Sequence, residues 1–399
     1  MALQDIIALL ALIAALVTVP AGVLAYRSSR KEAQTEGFKR AMDVLRDRQV
    51  ELNAAALDES PESWRLPELP ILGKREWVPT VPLDIRDIGL TLAEERPEPR
   101  SKTDYPLPSS TKKADRQGYS AIMQRVGGLD LFNGRIYRLT GVDGDLKHME
   151  FAVAKYYDYL DSSEVMAYES AQRVASGRKG VLRGSYRKAL GDPFSLTNRV
   201  TSLGINTLTI HLHGGDPTFF LHERDPQKVA IDSALISVAP AGEFTPSDRT
   251  LESVQSDFSL WRNIMREYAE EFLGHEEARG RGGRWIDYAT SSPYVELQRG
   301  IDDGSVRCWV LGLGLDPLNW KPELMTVCAL DSNVFDTVFE EMVERNDEGE
   351  MLVGPQGKGL KFDEATVNLY ARAAHTAPST KACLLLAWQH RELFGVHAT

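Results

Sequence analysis

Cysteine is scarce in this chain, which has only Cys308, Cys328 and Cys383. They are odd in number, far apart and set among apolar residues, which excludes a disulfide framework and a Cys-rich metal site. Reduced core thiols in a cytoplasmic domain are expected instead. Basic charge is also short: acids outnumber bases 57 to 46, for a formal net charge of -11, and no basic stripe offsets the deficit. Nucleic-acid binding, which needs clustered Lys and Arg against phosphates, is thereby excluded. There is no internal repeat and no helix-turn-helix segment. What is present is 43% hydrophobic residues over 399 positions, enough for one large domain with appendages.

The uncharged run IIALLALIAALVTVPAGVLAY occupies 6–26 and would span roughly 31 Å as a helix, about one hydrocarbon core. Pro20 and Gly22 are tolerated in membrane helices. The preceding MALQD lacks the basic start of a cleaved signal, while Arg27, Arg30 and Lys31 follow the run. The expectation is a transmembrane anchor at 1–30 that leaves the C-terminal bulk in the cytoplasm, a single-pass protein with the lipid bilayer as one partner.

Residues 31–126 read as a juxtamembrane helix, with Phe38, Met42, Leu45 and Leu52 near whole-turn spacing, followed by a Pro-rich linker. Nine of the twenty prolines fall within 61–108, although Trp77 and its branched apolar neighbours exceed what a free linker needs. From 127 to 399 the pattern becomes that of a folded domain with a helical C-terminal extension. GRIYRLTGV and HMEFAVAK read as strands, and SEVMAYESAQRVASG as a helix capped by Ser162 or Ser163. NTLTIHLHGG, TFFLHERD and VAIDSALISVAPAGEF follow as three strands expected to form a meander. VRCWVLGLGLD reads as a strand ending in a turn, since no helix start follows its glycines. ELMTVCALD is another strand, then SNVFDTVFEEMVERN a helix with Val334, Phe335, Val338, Phe339 and Met342 inward. Two terminal helices complete a mixed α/β (α+β) domain.

The most informative segment is SDFSLWRNIMREYAEEFLG, at 256–274. Ser256 or Asp257 is the expected cap, Gly274 the stop, and Phe258, Trp261, Met265, Tyr268 and Phe272 the buried face. On a helical wheel Glu267, Glu270 and Glu271 share the other side, with Arg266 in reach of Glu270. Three converging carboxylates are hard oxygen ligands suited to Mg²⁺ or Mn²⁺, or else a solvated helical face.

The charged positions REYAEE, with Gly242 in the preceding PAGEF turn, resemble the Nudix hydrolase signature G-x5-E-x7-R-E-U-x-E-E-x-G-U, where U is bulky and apolar. The likeness covers about a third of the chain, near 206–330. The interval from Gly242 to Arg266 carries an insertion of ten residues relative to that signature, and Gly274 falls one place late. Asp248 or Glu252 occupies the intermediate acidic position. The resemblance implies a Nudix-like mixed-sheet α/β/α sandwich. It implies Glu267, Glu270 and Glu271 as metal ligands and catalytic carboxylates, and Arg266 as the residue orienting them. It further implies a nucleotide-like substrate near Arg224, Gly242 and Glu243, and Glu296, Asp302 or Asp303 as a later acid. The implied activity is hydrolysis of a nucleoside diphosphate derivative with Mg²⁺ or Mn²⁺, or, with catalysis lost, sensing of such a ligand at the membrane. The longer pattern also resembles an uncharacterised actinobacterial-type domain, which supplies no activity. Nothing in the sequence fixes the oligomeric state.

Three further stretches read as surface. His211 and His213 in HLHGGD share one strand face, where a metal could bind, but no third ligand is evident. The basic GRKGVLRGSYRK, 177–188, and RGRGGR, 279–284, read as solvated loops.

Overall fold

The computed structural model describes residues 32–93, 118–129, 131–224, 235–276, 285–345, 349–353 and 359–396. Among these, no helix is long and apolar enough to cross a membrane. The expected anchor at 6–26 and the RGRGGR stretch lie outside the described residues.

The architecture of the described residues is mixed α/β, built on three sheets. Its centre is a hairpin of two ten-residue strands, β10 (Val306–Leu315) and β11 (Pro322–Asp331). Their side chains are apolar toward both faces, as expected of strands covered on both sides. Leu324, Cys328 and Leu330 enter one core, and Met325, Val327 and Ala329 the other. β5 (Gly204–Leu212) runs parallel to β11 over its whole length. Together with β1 (Leu83–Asp84), β6 (Thr218–Phe219), β9 (Ala241–Glu243) and β13 (Leu360–Lys361) they form a seven-stranded sheet.

The outer edge of β5 is shared between two partners. β6 takes its C-terminal end, with Ile210 opposite Phe219, and β9 takes its N-terminal end, with Ile205 opposite Gly242. Between them the chain leaves for a second sheet of β7 (Leu221–Arg224), β8 (Ile236–Val238) and β12 (Gly349–Leu352). The expected three-strand meander is therefore split: half of each apolar run pairs with β5 and half with a different sheet. The third sheet joins β2 (Gly89–Leu92), β4 (His148–Lys155) and β3 (Arg135–Val142).

Helices cover the large sheet on both sides. The Pro378–Gln389 helix packs over β5 and β11 with Ala382, Cys383, Leu384 and Leu386 inward. The helix starting at Leu260 crosses the other face with Ile264, Met265, Tyr268 and Phe272 buried. All three cysteines are buried free thiols, and burial pushes Cys308 and Cys383 upward in pKa.

Within 31–126, residues 32–47 and Gln49–Glu59 are helical. Residues 61–93 lie on the domain: Trp77 is buried, Leu72 exchanges backbone hydrogen bonds with Leu315, and β1 and β2 pair with β10 and β4. The caps differ from those expected. Ser162 and Ser163 lie inside a π-helical turn, Leu160–Glu164, because helical structure begins at Tyr156. Their hydroxyls bond the Asp158 and Val200 carbonyls rather than a helix N-terminus. The helix after β11 stops at Val338, though Phe335 and Phe339 are buried as expected. In the basic stretch, Arg187 is buried over the Trp320 ring, 4.8 Å from its centroid, in a short helix rather than a loop.

Candidate functional site

The glutamate-bearing helix is assembled in two pieces. An α-helix, Leu260–Glu267, continues into a π-helical turn, Tyr268–Phe272, and ends at Gly274 in the left-handed region, the expected stop. Its cap is Ser259, whose hydroxyl accepts from the Arg262 N–H, not Ser256 or Asp257. Those two close a separate short helix, Leu251–Ser256, capped by Thr250. The ten-residue insertion is thus a folded element. Asp257 anchors it, accepting from the Ser247 N–H at 2.7 Å, the Ser247 hydroxyl at 2.5 Å and the Tyr288 hydroxyl at 2.8 Å.

π turns inside α-helices are uncommon and recur at functional sites. This one seats Tyr268 beneath the sheet, its hydroxyl 2.8 Å from Thr209 Oγ1 on β5. The same turn brings Glu271 to β9, where its carboxylate accepts from the Ala241 N–H at 3.0 Å. Glu271 is only 4% exposed, and Glu267 and Glu270 are half-buried. Glu271 and Glu267 therefore face β9, while Glu270 is half-buried on the same turn, near Arg266 and Tyr294.

Gly242 explains how the approach is possible. A Cβ at that position would lie 2.1 Å from the Glu267 carboxyl carbon. Only a residue without a side chain lets the carboxylate rest there.

Arg266 is buried, and its Nη2 donates to the Thr245 carbonyl and, at 2.6 Å, to Asn263 Oδ1. Burial opposes its charge, yet Tyr288, Asp257, Glu267 and Glu270 together hold its pKa above the ordinary value. Burial pushes the Tyr294 phenol up to about 12, with Glu270 the next cause. Arg266, Tyr294, Glu267 and Glu270 thus share one electrostatic neighbourhood, in which the Arg266 cation is held charged.

The remaining sequence candidates separate. Glu243 follows Gly242 in the strand and so projects to the opposite face. There it pairs with Lys321 Nζ at 2.7 Å and accepts from the Ser202 hydroxyl. Lys321 also reaches Glu323 at 3.2 Å, and Glu323 accepts from Asn206 at 2.6 Å. This buried cluster was not legible in the sequence, since its members come from β5, β9, β11 and a turn with no common spacing. Arg224 ends β7 opposite Gly349, in the second sheet rather than the one carrying β9. Asp248 is buried and Glu252 exposed. Glu296, Asp302 and Asp303 lie in a helix, Tyr294–Asp303. Asp302 accepts from Gln298 and Asp303 from Ser305, as residues at a helix end do.

A hollow of about 870 Å³ lies elsewhere, between Arg65, Leu66, Arg372, Lys381 and Leu385. At the end of β5 opposite the glutamates, His211 and His213 meet Asp336, all offering donor atoms within 4.8 Å of one another. No family's sequence profile matches the chain, and no curated protein matches it.

Proposed function

We propose that the protein is a membrane-tethered, Nudix-like module. Glu267, Glu270 and Glu271 bind Mg²⁺ or Mn²⁺ together with a nucleoside diphosphate derivative. Gly242 and Glu267, separated in sequence as leading glycine and helix acid, meet in space, and that contact carries the reading. The donors are carboxylate oxygens beside a helix turn, a set that suits a hard divalent cation. Such an ion would supply neutralisation of the diphosphate charge.

Binding is favoured over efficient hydrolysis by a specific observation. Glu271 accepts the Ala241 N–H and Arg266 donates to the Thr245 carbonyl, so two members of the box hold the loop in place. A displacement of about 1 Å at a reacting centre already costs on the order of a hundredfold in rate.

Thermal unfolding with added Mg²⁺ or Mn²⁺ tests the reading. Binding to the native state stabilises it by about 2.7 kcal/mol at a hundredfold excess over Kd. The E270Q/E271Q variant keeps the size of both side chains and the acceptor for Ala241, and is expected to remain folded while losing the metal-induced shift. Identical responses in the two proteins would sink the proposal. For the tether, a reporter fused after Thr399 is expected in the cytoplasm, and a secreted or periplasmic signal contradicts it.

A further inference from the structure

We infer a second, chemically distinct metal site, formed by His211, His213 and Asp336 and suited to Zn²⁺ or a similar divalent transition ion. His211 lies on β5 and His213 just beyond its end, two residues apart, with ring centroids 5.6 Å from each other. The helix Ser332–Val338 carries Asp336 over them, its Oδ1 3.8 Å from His211 Nε2. Imidazole and carboxylate donors in this proportion suit zinc and its neighbours, not Mg²⁺.

The surroundings fix the ligands in the way metal sites require. The His211 ring is buried and stacked on Phe335, at 4.1 Å between centroids and 12° between planes. Ser332 donates its only hydroxyl hydrogen to the Leu212 carbonyl at 2.7 Å, so it acts as acceptor toward His213 Nδ1 at 3.3 Å. Neutral His213 then carries its proton on Nδ1 and its lone pair on Nε2. A ring nitrogen held by an outer hydrogen bond while the other takes the metal is the usual arrangement.

Tetrahedral zinc places its ligand atoms about 3.3 Å apart. The 4.8 Å spread here closes by small rotations of His213 and Asp336, both exposed, around the fixed His211. Three protein ligands leave one position open toward solvent, for water or an anionic ligand. The site is separate from the glutamates. Gly242 pairs with Ile205 and His211 lies six residues further along β5, about 20 Å at the rise of a strand.

The test is equilibrium dialysis of the intact protein against Zn²⁺ with millimolar Mg²⁺ present, which keeps the carboxylate site occupied. It is run on wild type, H213A/D336N and E270Q/E271Q. One zinc per chain is expected for wild type and E270Q/E271Q, with at least tenfold weaker binding for H213A/D336N. Replacing Zn²⁺ by Co²⁺ should give the intense visible absorption of a four-coordinate ion in wild type and E270Q/E271Q only. Circular dichroism checks that H213A/D336N folds, as substitution of two exposed residues predicts. Absence of stoichiometric zinc in wild type, unchanged zinc in H213A/D336N, or its loss in E270Q/E271Q alone would each overturn the inference.

Discussion

Gly242 lies flat against the carboxylate of Glu267, with no room for even a methyl group between strand and helix. The contacting atoms are the far end of a flexible side chain, so Gly242→Ala is expected to displace Glu267 rather than unfold the protein. The stability loss should stay near 1 kcal/mol, at the low end of overpacking costs. The Mn²⁺-induced rise in Tm should nevertheless fall by most of its size. If Gly242→Ala melts close to wild type and keeps its full metal response, Glu267 is not a ligand.

Asp257 fixes the inserted loop from beneath. Asp257→Ala leaves the Ser247 N–H and the Tyr288 hydroxyl without their shared acceptor in a buried setting. A loss of about 3 kcal/mol is expected by chemical denaturation. Limited proteolysis should then cut first between 245 and 256. A loss under about 0.5 kcal/mol, the scale of ordinary surface substitutions, would mean that the insertion does not depend on this anchor.

Much of the fold is legible in the sequence because its strongest elements are local. β3, β10 and β11 lie where apolar runs place them, and Trp261 through Phe272 follow the helical spacing that marks their helix, though Phe258 precedes its cap. What local pattern does not carry is set by distant partners. The π turn at Tyr268 answers to Thr209 on β5, so the wheel that groups the three glutamates gives their side but not the turn of Glu271 toward Ala241. Ser162 and Ser163 look like caps in isolation, yet Val200, far along the chain, takes the Ser163 hydroxyl. The same limit hides Asp336 as the third partner of His211 and His213, and Lys321 as the partner of Glu243.

The C-terminal helices offer a pH-dependent effect of known sign. Asp363 caps the Glu364–Arg372 helix, and the Thr366 N–H bond, opposed by partial burial and aided by Lys361, lowers its pKa. A depressed carboxylate contributes stability above its unfolded pKa, near 4, and loses it as pH falls through the folded value. Asp363→Ala should therefore cost about 1 kcal/mol at pH 7, the usual worth of an N-cap. Part of that difference from wild type should vanish as pH falls through the folded pKa of Asp363, once both proteins lack the charge. A gap that widens on acidification would contradict the assignment.

Lys321 neutralises two carboxylates at once, Glu243 at 2.7 Å and Glu323 at 3.2 Å, on the sheet face away from the glutamate helix. Removing its charge while keeping most of its length, as Lys321→Met does, leaves the half-buried Glu243 and the buried Glu323 facing each other. A loss smaller than the cost of breaking a fully buried pair, about 3 to 5 kcal/mol, is expected, since Glu243 is half-buried. The triple variant K321M/E243Q/E323Q removes the uncompensated charge and retains acceptors for Asn206 and Ser202, so it should recover most of that loss. It also separates structure from ligand binding. Glu243 projects away from Gly242's face, so the stabilised triple variant is expected to show the wild-type response to Mn²⁺. If it instead loses the metal shift while melting normally, Glu243 belongs to the binding site, and the two faces of β9 are not functionally separate.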